Sequence, residues 1–497
     1  MAQAGAFGGL FRSSGIYLLG NLASRIVGFL AIPIYARFLS PTQYGIIELI
    51  ELSTQVVAIA FGTQAVGTVM TRLFHDQDSD ANRNAVVSTS LIATALVSAV
   101  VAVVAMLAAA PLSRAILHST DNTPLLQAAF GAMFFSNLVE VILTYERIRD
   151  RARFFFWYSM VGLLVTLGLN IWFIGYLGAG VWGFVSSKLV VMGGGSVFLL
   201  WRAFGAVGWS WRGGLMRQLV HLGLPLSVAS LSFFAIHFSD RFFLTAAVSL
   251  ADLGRYALAY RFAFLVSVLV SDSFGKSWNV NFYRHVGLAG WREQFGHVAR
   301  YLIFAECAAG LALCLTAPEL FRIMVPPSFY PPALLLPVLV LAYVLRDVGD
   351  FFRNLLLINK RAVQIGRLVL AGAALNTALN FALIPVLGLY GAALATLATW
   401  TVYMVVFWVV ACREHQIPSR PFSGLLLLAL AGGVLAGRYA IPVPGLLGQT
   451  ALDLGWLLLF TVTALPWYFS AADHAGMRLR AAAIGLALIP EHILRRR

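Results

Sequence analysis

The chain has 497 residues, of which 60% are hydrophobic and only 11% are charged, and its mean hydropathy is +0.82. Soluble globular chains carry about 45–50% apolar and about 25% charged residues. This composition excludes a set of soluble domains, a disordered chain, a collagen-like chain and a disulfide scaffold, and it predicts a polytopic membrane protein. The three cysteines form no CxxC or Cys/His cluster, so we expect them to be small buried side chains.

Long apolar runs follow one another along the chain, and about 20 apolar residues span a bilayer core. The runs are continuously apolar rather than alternating, which favours helices over a barrel. The first run is long and contains Arg25, so we expect a retained helix and not a signal peptide. In chain order the runs predict about fourteen transmembrane helices, called spans 1–14, at 14–38, 46–70, 85–110, 125–146, 155–175, 179–201, 221–247, 255–283, 299–318, 332–357, 366–386, 389–412, 422–440 and 451–470.

The basic residues are distributed unevenly over the loops. With the N-terminus inside, the inner loops and ends hold 24 of the 35 Lys and Arg residues, the outer loops hold five and the spans hold six. This bias predicts that both termini lie inside and that the basic loops face anionic membrane lipids. It also accounts for the net charge of +14 without a nucleic-acid partner.

Part of the sequence is repeated. Residues 140–183 align without a gap with residues 350–393, at an offset of 210, and share Leu-Asn, Leu-Gly and Arg-Ala pairs. We therefore predict two six-helix halves, 1–212 and 213–412, followed by two extra helices and a basic tail in 413–497. An even number of spans gives both halves the same orientation, which is a parallel repeat that encloses a site and alternates its access.

Charges inside the spans are costly, at about 2.5–3.5 kcal/mol each, and must face protein or water. Spans 1, 2 and 8 carry such charges, and two interpretations remain open. One is a water-filled cavity between the halves, in which basic residues bind an anionic headgroup. The other is a set of structural ion pairs, for example between the two span 8 residues that are four apart. The residues concerned are Arg25, Glu48, Glu51, Arg261, Asp272 and Lys276.

Other intramembrane charges have simpler interpretations. Asp240 and Arg241 lie near the outer end of span 7, where we expect them to reach towards the interface. Lys188 and Glu306 have no partner that the sequence reveals. Four charges in span 10 are spaced so that they can neutralise one another, namely Arg346, Asp347, Asp350 and Arg353.

Soluble-enzyme chemistry has no support in the sequence. There is no Walker loop, no GxGxxG after a strand, no HExxH and no GxSxG, and the nine histidines are scattered. We therefore predict no catalytic residue, no metal site and no cofactor. Without a nucleotide site, transport would draw its energy from an ion gradient, from the membrane potential or from the substrate gradient.

Several motifs occur in a familiar order. Residues 36–45, with the sequence ARFLSPTQYG, resemble the first-loop signature of the polysaccharide-transporter flippases, which are part of the multidrug/oligosaccharidyl-lipid/polysaccharide exporter superfamily. Asp240-Arg241 followed by residues 253–256 resembles the second-half counterpart, and residues 318–333 resemble the outer loop before span 10. The resemblance covers the whole chain, including the count of fourteen spans.

The lipid II flippases of the same superfamily are also similar. Ser24-Arg25 matches the pair that lines the cavity in their first helix, and Arg261 matches the cavity arginine of their eighth. By position within span 8, Lys276 joins these as a candidate for the headgroup. The sequence departs from them at Ala31 and Ile32, where they carry Arg and Asp, and at residues 57–58 near another cavity arginine. These departures favour a pyrophosphate-linked glycan other than lipid II.

The resemblance implies a non-enzymatic flippase in the bacterial inner membrane. It would translocate undecaprenyl-pyrophosphate-linked oligosaccharide by alternating access, coupled to H⁺ or Na⁺ through Glu48, Glu51 or Asp272. Polysaccharide polymerases and glycosyltransferases are its expected partners. Two alternatives are a cation-coupled multidrug exporter of the same superfamily, which usually has twelve spans, and a membrane glycosyltransferase or ligase, which would need a large loop or domain.

Overall fold

The computed structural model describes residues 28–29, 31–275, 278, 282, 286, 288, 290–332, 334–358, 361–417, 421–441 and 446–469. Within these residues the regular elements are all helical, and eleven helices are long and apolar enough to cross a membrane. The chain is an all-α integral membrane protein, as its composition predicts. The helices are α1 Ile32–Phe38, α2 Pro41–Ala60, α3 Val66–His75, α4 Asp80–Leu107, α5 Ala109–Leu117, α6 Thr123–Ile148, α7 Ala152–Asn170, α8 Gly180–Val207, α9 Gly213–Leu244, α10 Leu250–Leu269, α11 Trp291–Met324, α12 Leu335–Ile358, α13 Ala362–Leu387, α14 Leu389–His415, α15 Pro421–Ala440 and α16 Leu446–Tyr468.

The eleven helices correspond to spans 3–9 and 11–14 of the sequence prediction. Span 1 lies mostly outside the described residues, which include only its C-terminal end with α1. Span 2 is divided into α2 and α3 by a break at residues 61–65, where Gly62 has a φ of 74°. Span 10 is the continuous helix α12, and it differs from the eleven because every stretch of 18 residues within it holds at least three charged residues. The expected number of about fourteen spans therefore fits the observed helices.

Helix contacts divide the chain into two compact units. Unit 1 comprises Met1–Arg261, Phe321–Leu335 and Val363–Thr399. Unit 2 comprises Phe262–Leu320, Leu336–Ala362 and Trp400–Arg497. The predicted division at residues 212 and 412, and the parallel repeat, stay predictions.

Unit 1 has an apolar core formed by α4, α6 and α8. Leu91, Ile142 and Leu199 are fully buried there, whereas Trp157 and Leu164 on α7 are more than half exposed. An apolar surface of this kind is expected on a helix that faces lipid, because the bilayer and not water is its solvent.

The start of α2 has a strong local signal. Ser40 is the N-cap, its Oγ accepts a hydrogen bond from the Gln43 backbone N–H at 3.2 Å, and Gln43 Oε1 accepts one from the Ser40 N–H at 3.0 Å. This reciprocal pattern is a capping box, and Pro41 occupies the first turn, where a missing N–H costs nothing. The residues that carry the family resemblance thus include those that begin α2.

The start of α10 is built in the same way, 209 residues later. Ser249 Oγ accepts a hydrogen bond from the Asp252 N–H at 3.1 Å and donates one to Asp252 Oδ2 at 2.7 Å. Each cap is followed, five residues after its serine, by a glycine at which the two helices touch. A Cβ on Gly45 would lie 2.2 Å from the Leu250 carbonyl oxygen. This crossing brings the next turns of α2 and α10 close together.

Candidate functional site

Charged side chains from α2, α8, α9 and α10 meet inside unit 1. The cluster consists of Glu48, Glu51, Lys188, Arg241 and Arg261, and we call it the Glu48–Arg261 cluster. Arg261 Nη2 donates a hydrogen bond to Glu48 Oε2 at 3.0 Å and lies 3.8 Å from Glu51 Oε2. The structure therefore brings two carboxylates of span 2 together with the arginine of span 8, and the predicted role of these residues in binding a headgroup stays a prediction.

Lys188 corrects the sequence interpretation, which gave it no partner. Its Nζ donates a hydrogen bond to Glu51 Oε1 at 3.1 Å. The partner is 137 residues away in sequence and on another helix, so no local spacing could reveal it. Glu51 is consequently held between an ammonium and a guanidinium.

The cluster has a buried side and an accessible side. Arg241 is 2% exposed and Glu48 is 9% exposed, whereas Arg261 is 37% exposed. The guanidinium of Arg261 stacks on the Tyr44 ring, 5.1 Å from its centroid. A buried carboxylate and an aromatic face thus fix the orientation of Arg261, while its side chain remains partly exposed and offers a guanidinium that suits an anion.

Asp240 and Arg241 do not reach for the interface as expected. Arg241 Nη1 donates to Asp240 Oδ1 at 2.7 Å, and both side chains are 2% exposed. The Arg241 guanidinium also lies 3.8 Å from the centroid of the Tyr260 ring, and Tyr256 donates a hydrogen bond to Asp240. The reason for the correction is that the pair is satisfied inside the protein, so neither charge needs water.

Neutral polar groups lie beside the cluster, and the sequence analysis did not assign them to the site. Asn170 Nδ2 donates to the Tyr35 hydroxyl oxygen at 2.8 Å, and Tyr35 interacts electrostatically with Glu51 and Arg261. Asn170 ends α7 just before a π-helical turn over Ile171–Tyr176, a rare element that frequently occurs at functional sites. The available signal was that Asn170 is one of the repeated positions.

Three predicted site residues, Ser24, Arg25 and Lys276, lie outside the described residues. The predicted approach of Arg25 to Arg261 and the pairing of Asp272 with Lys276 therefore stay predictions. Asp272 is described, and it lines a polar cavity in unit 2.

This polar cavity has a volume of about 280 Å³. Its wall includes the four charged residues of α12, which neutralise one another as predicted. Arg346 donates to Asp347 Oδ1 at 2.9 and 2.7 Å, and Arg353 lies 2.8 Å from Asp350 Oδ1. The cavity is lined mainly by polar and charged side chains, among them Ser271, Asp272, Arg346, Asp347, Asp350 and Arg353.

Glu306 is a second charge that the sequence left without a partner. Its Oε1 accepts a hydrogen bond at 2.6 Å from Ser271 Oγ, and the carboxyl group interacts electrostatically with Asp347 and Arg346. These partners belong to other helices, so the single-helix spacing that explained α12 could not find them.

Unit 2 also holds an apolar cavity of about 210 Å³. It lies among α11, α12, α14 and α15, with Tyr468 of α16 in its wall. The two helices that follow the predicted second half therefore help to form an apolar site. The wall is almost entirely hydrocarbon and includes Ile303, Val344, Phe352, Trp408, Leu425 and Leu428.

A fourth feature is an open polar cavity of about 650 Å³ at one end of unit 1. Arg72, His75 and Arg147 line it together with Glu140, which is 3.8 Å from Arg147 Nη2. None of these four residues is among the site residues that the sequence predicts.

The described residues contain no group of three or more His, Cys, Asp or Glu side chains able to hold a metal ion. Cys307 and Cys314 are free and buried, as predicted, whereas Cys412 is only half-buried. None of the cysteines forms a disulfide within the described part of the chain.

Comparisons with known proteins agree with this architecture. Residues 34–277 match a family described as a polysaccharide biosynthesis protein. No curated protein matches the sequence. Among solved structures, the inward closed lipid II flippase MurJ is similar with a TM-score of 0.66 and 12% identity, over 89% of this chain and 97% of that one.

A multidrug resistance transporter of the MATE family, in an inward-facing conformation, is similar with a TM-score of 0.65 and 16% identity, over 78% of this chain and 94% of that one. An outward-facing MATE transporter gives a TM-score of 0.57 at 17% identity, over 82% of this chain and 95% of that one. The fold is thus that of the MATE and MurJ transporters, and the family match over residues 34–277 supports the resemblance of the sequence to the polysaccharide-transporter family.

Proposed function

We propose that this multi-pass membrane protein moves undecaprenyl-pyrophosphate-linked oligosaccharide from the inner to the outer leaflet of the bacterial inner membrane by alternating access. The observation that carries the proposal is the Arg261 side chain, which is 37% exposed and whose guanidinium is held in place by two carboxylates and an aromatic ring. A guanidinium offers paired N–H donors that fit phosphate oxygens. The match of residues 34–277 to a polysaccharide biosynthesis family supports the class of substrate.

The pyrophosphate and the first sugars of such a substrate each have candidate contacts in the chain. The pyrophosphate would displace the carboxylates of Glu48 and Glu51 from Arg261, with Ser24, Arg25 and Lys276 as further headgroup contacts. Polar groups such as Asn170 and Tyr35 can hydrogen-bond the first sugars. The isoprenoid tail would stay in the bilayer. No bond is made or broken in this process, so the protein acts as a transporter and not as an enzyme.

The affinity of the protein for the headgroup must decrease after translocation. We propose that the coupling element is a carboxylate near the cluster or the polar cavity, namely Glu48, Glu51 or Asp272, which binds H⁺ or Na⁺ in one half of the cycle. Binding of H⁺ or Na⁺ would neutralise the carboxylate of Glu48 or Glu51 and free Arg261 for phosphate. Release of the cation would restore the carboxylate, and Arg261 would pair with it again. Partners in this pathway would be the glycosyltransferases that build the substrate and the polymerase that consumes it.

The second candidate is a cation-coupled multidrug exporter, because the MATE fold is about as similar as that of MurJ. The share of this chain that each solved structure covers distinguishes the two candidate functions. The MATE structure covers 78% of this chain and MurJ covers 89%, and α15 and α16 form membrane-spanning helices after the predicted twelve. This length favours the lipid-linked substrate over a drug.

The test is reconstitution of the purified protein in liposomes that contain undecaprenyl-pyrophosphate-linked oligosaccharide. Flipping is measured as the fraction of substrate that a membrane-impermeant glycosidase can reach. We expect wild-type protein to accelerate flipping and Arg261→Ala to remove most of the acceleration. Depletion in cells should make lipid-linked intermediates accumulate, and mass spectrometry of these would identify the glycan. Wild-type protein that exports a fluorescent cationic drug but leaves the lipid in place would overturn the proposal.

A further inference from the structure

Two buried carboxyl groups in unit 2 have oxygen atoms without a hydrogen-bond partner. Glu306 is fully buried, with its Oε2 unpaired, and Asp347 is 2% exposed, with its Oδ2 unpaired. An unpaired polar atom in the interior costs about 1–3 kcal/mol, and more if it is charged. Such atoms are rare in native structures, so a ligand that supplies a hydrogen or a positive charge is expected at this place.

The charges around the two carboxyl groups do not balance. Glu306 and Asp347 share one cation, Arg346, whose Nε and Nη2 both donate hydrogen bonds to Asp347 Oδ1. Asp350 is already paired with Arg353 at 2.8 Å and accepts a hydrogen bond from Tyr403 at 2.6 Å. Asp272, on the cavity wall, has interactions of its own. Among the described residues, the pair therefore lacks one unit of positive charge.

The number of oxygen atoms restricts the ligand. The groups in reach are the two carboxyl groups, the hydroxyl of Ser271, which already donates to Glu306, and the hydroxyl of Ser267 beside Asp347. A divalent cation takes about six or more oxygen ligands, and the described residues offer no cluster of that kind. Two carboxylates that share one site cannot both stay ionised, and one proton between them restores neutrality.

The site also has a route to water. Asp347 lines the polar cavity of about 280 Å³ together with Ser271 and Asp272, whereas Glu306 is not part of its wall. Ser271 contacts the cavity and donates its hydroxyl hydrogen to Glu306 Oε1. A proton can therefore exchange with the cavity at Asp347 while Glu306 stays shielded from solvent.

We propose that the buried carboxyl groups of Glu306 and Asp347 form a proton-binding site, which holds one exchangeable proton that reaches it through the polar cavity. The site is separate from Glu48 and Glu51, which are paired with cations. The role of this site in transport rests on the proposed function, whereas the binding of the proton is independent of the proposed function.

Infrared difference spectroscopy of the protein in lipid nanodiscs tests the binding directly. Wild-type protein should show the carbonyl-stretch band of a protonated carboxyl group, and the band should decrease as the pH is raised. Glu306→Gln should remove it, and so should Asp347→Asn, because a single carboxylate is then balanced by Arg346. The matched control is Glu293→Gln, the same substitution at an exposed position of the same helix, which should keep the band.

A second measurement uses flipping in liposomes with and without an imposed pH gradient. The ratio of the two rates should fall to about one in Glu306→Gln and should stay at the wild-type value in Glu293→Gln. Identical spectra for wild type, Glu306→Gln and Asp347→Asn would overturn the proposal, as would loss of the band on adding NaCl in place of choline chloride at constant pH. If wild-type protein flips no lipid but shows the band, the proposed function fails and the proton site stands. Yield and apparent Tm of each variant show whether it is folded.

Discussion

Arg241 and Arg261 share one carboxylate, Glu48, from opposite sides. Arg241 Nε lies 3.9 Å from Oε1, and Arg261 Nη2 lies 3.0 Å from Oε2. Arg241 is 2% exposed and Arg261 is 37% exposed, so only one of the two can meet a ligand. This difference in burial separates a structural cation from a candidate binding cation, and the sequence alone treats both as charges in a membrane span.

Substitution of Arg261 should reduce the flipping rate, and the reduction should depend on whether the new side chain keeps the charge. A hydrogen bond to a charged group contributes about 1.5–3 kcal/mol, which is about 10- to 100-fold in rate or affinity. We expect this reduction for Arg261→Ala and a smaller one for Arg261→Lys, because lysine keeps the charge but lacks the planar fork.

Arg255→Lys is the matched control for Arg261→Lys. Arg255 lies on the same helix, is 33% exposed and pairs with Asp252 at 2.6 Å. Its substitution should leave the flipping rate within about twofold of wild type, since exposed pairs contribute about 0–1 kcal/mol. Equal losses in the two lysine variants would show that any surface charge has this effect.

Asp240→Asn should destabilise the protein strongly. Loss of this carboxylate leaves the buried Arg241 without its closest counter-charge, at 2.7 Å, and breaking a buried pair costs about 3–5 kcal/mol. Asp80→Asn is the comparison, because its pair with Arg83 is longer, at 3.4 Å, and Asp80 is 74% exposed. Apparent Tm in detergent should fall clearly for Asp240→Asn and little for Asp80→Asn. Similar melting curves would contradict a buried role for Asp240.

Alanine at either glycine of the α2–α10 crossing should prevent the normal approach of the helices. A Cβ on Gly254 would lie 2.0 Å from the Pro41 carbonyl oxygen, and one on Gly45 would lie 2.2 Å from that of Leu250. Backbone atoms cannot give way as a flexible side chain can, so we expect low yield and loss of flipping.

Gly168→Ala on α7 is the control for these two variants. A Cβ there meets nothing within 4 Å, and alanine favours a helix by up to about 1 kcal/mol over glycine. Its apparent Tm should be unchanged or slightly higher. Wild-type yield and flipping for Gly45→Ala would show that the crossing tolerates a larger separation.

The sequence predicts the helices better than it predicts the site. Continuous apolar runs give each described span, because hydropathy in a membrane is a local property. Glu48, Glu51 and Arg261 were also found, since a charge within an apolar run is conspicuous. The pairing of Glu51 with Lys188 was not, because the two residues lie on different helices, 137 positions apart.

Burial is the second property that the sequence does not give. Asp240 and Arg241 lie near the end of a span, where a charge can ordinarily reach water. Tyr256 and Tyr260 surround them instead, and nothing in the local sequence of α9 indicates this. Glu306 is similar, because the partners that explain it belong to other helices of unit 2.

The orientation can be tested with reporter fusions. The excess of Lys and Arg in alternate loops predicts that both termini are cytoplasmic. Fusions after residue 420, before α15, and after residue 475 should both give a cytoplasmic signal. A periplasmic signal at either position would contradict fourteen spans with both ends inside.

We predict that flipping is coupled to an ion gradient through a carboxylate. Removal of a unit charge at about 4 Å changes an interaction by about 4 kcal/mol at an effective dielectric constant of about 20. A swing between 1:99 and 99:1 of two states needs about 5.5 kcal/mol, so one protonation near Arg261 supplies most of it. Glu51 is well placed, because it lies 3.8 Å from Arg261 and 3.1 Å from Lys188.

Flipping in liposomes should therefore respond to an imposed proton or sodium gradient, and the response should shrink when the carboxylates are neutralised. The variants are Glu48→Gln, Glu51→Gln, Asp272→Asn and the triple combination, compared with Glu293→Gln at an exposed position. Each rate is measured with and without the gradient, and again with the membrane potential clamped by valinomycin and potassium. Because protonation acts on charge and not on shape, the neutral variants should lose the gradient response before they lose binding of the lipid. Flipping that ignores both gradients and the potential, or a triple variant that responds like wild type, would exclude these three carboxylates as the coupling element.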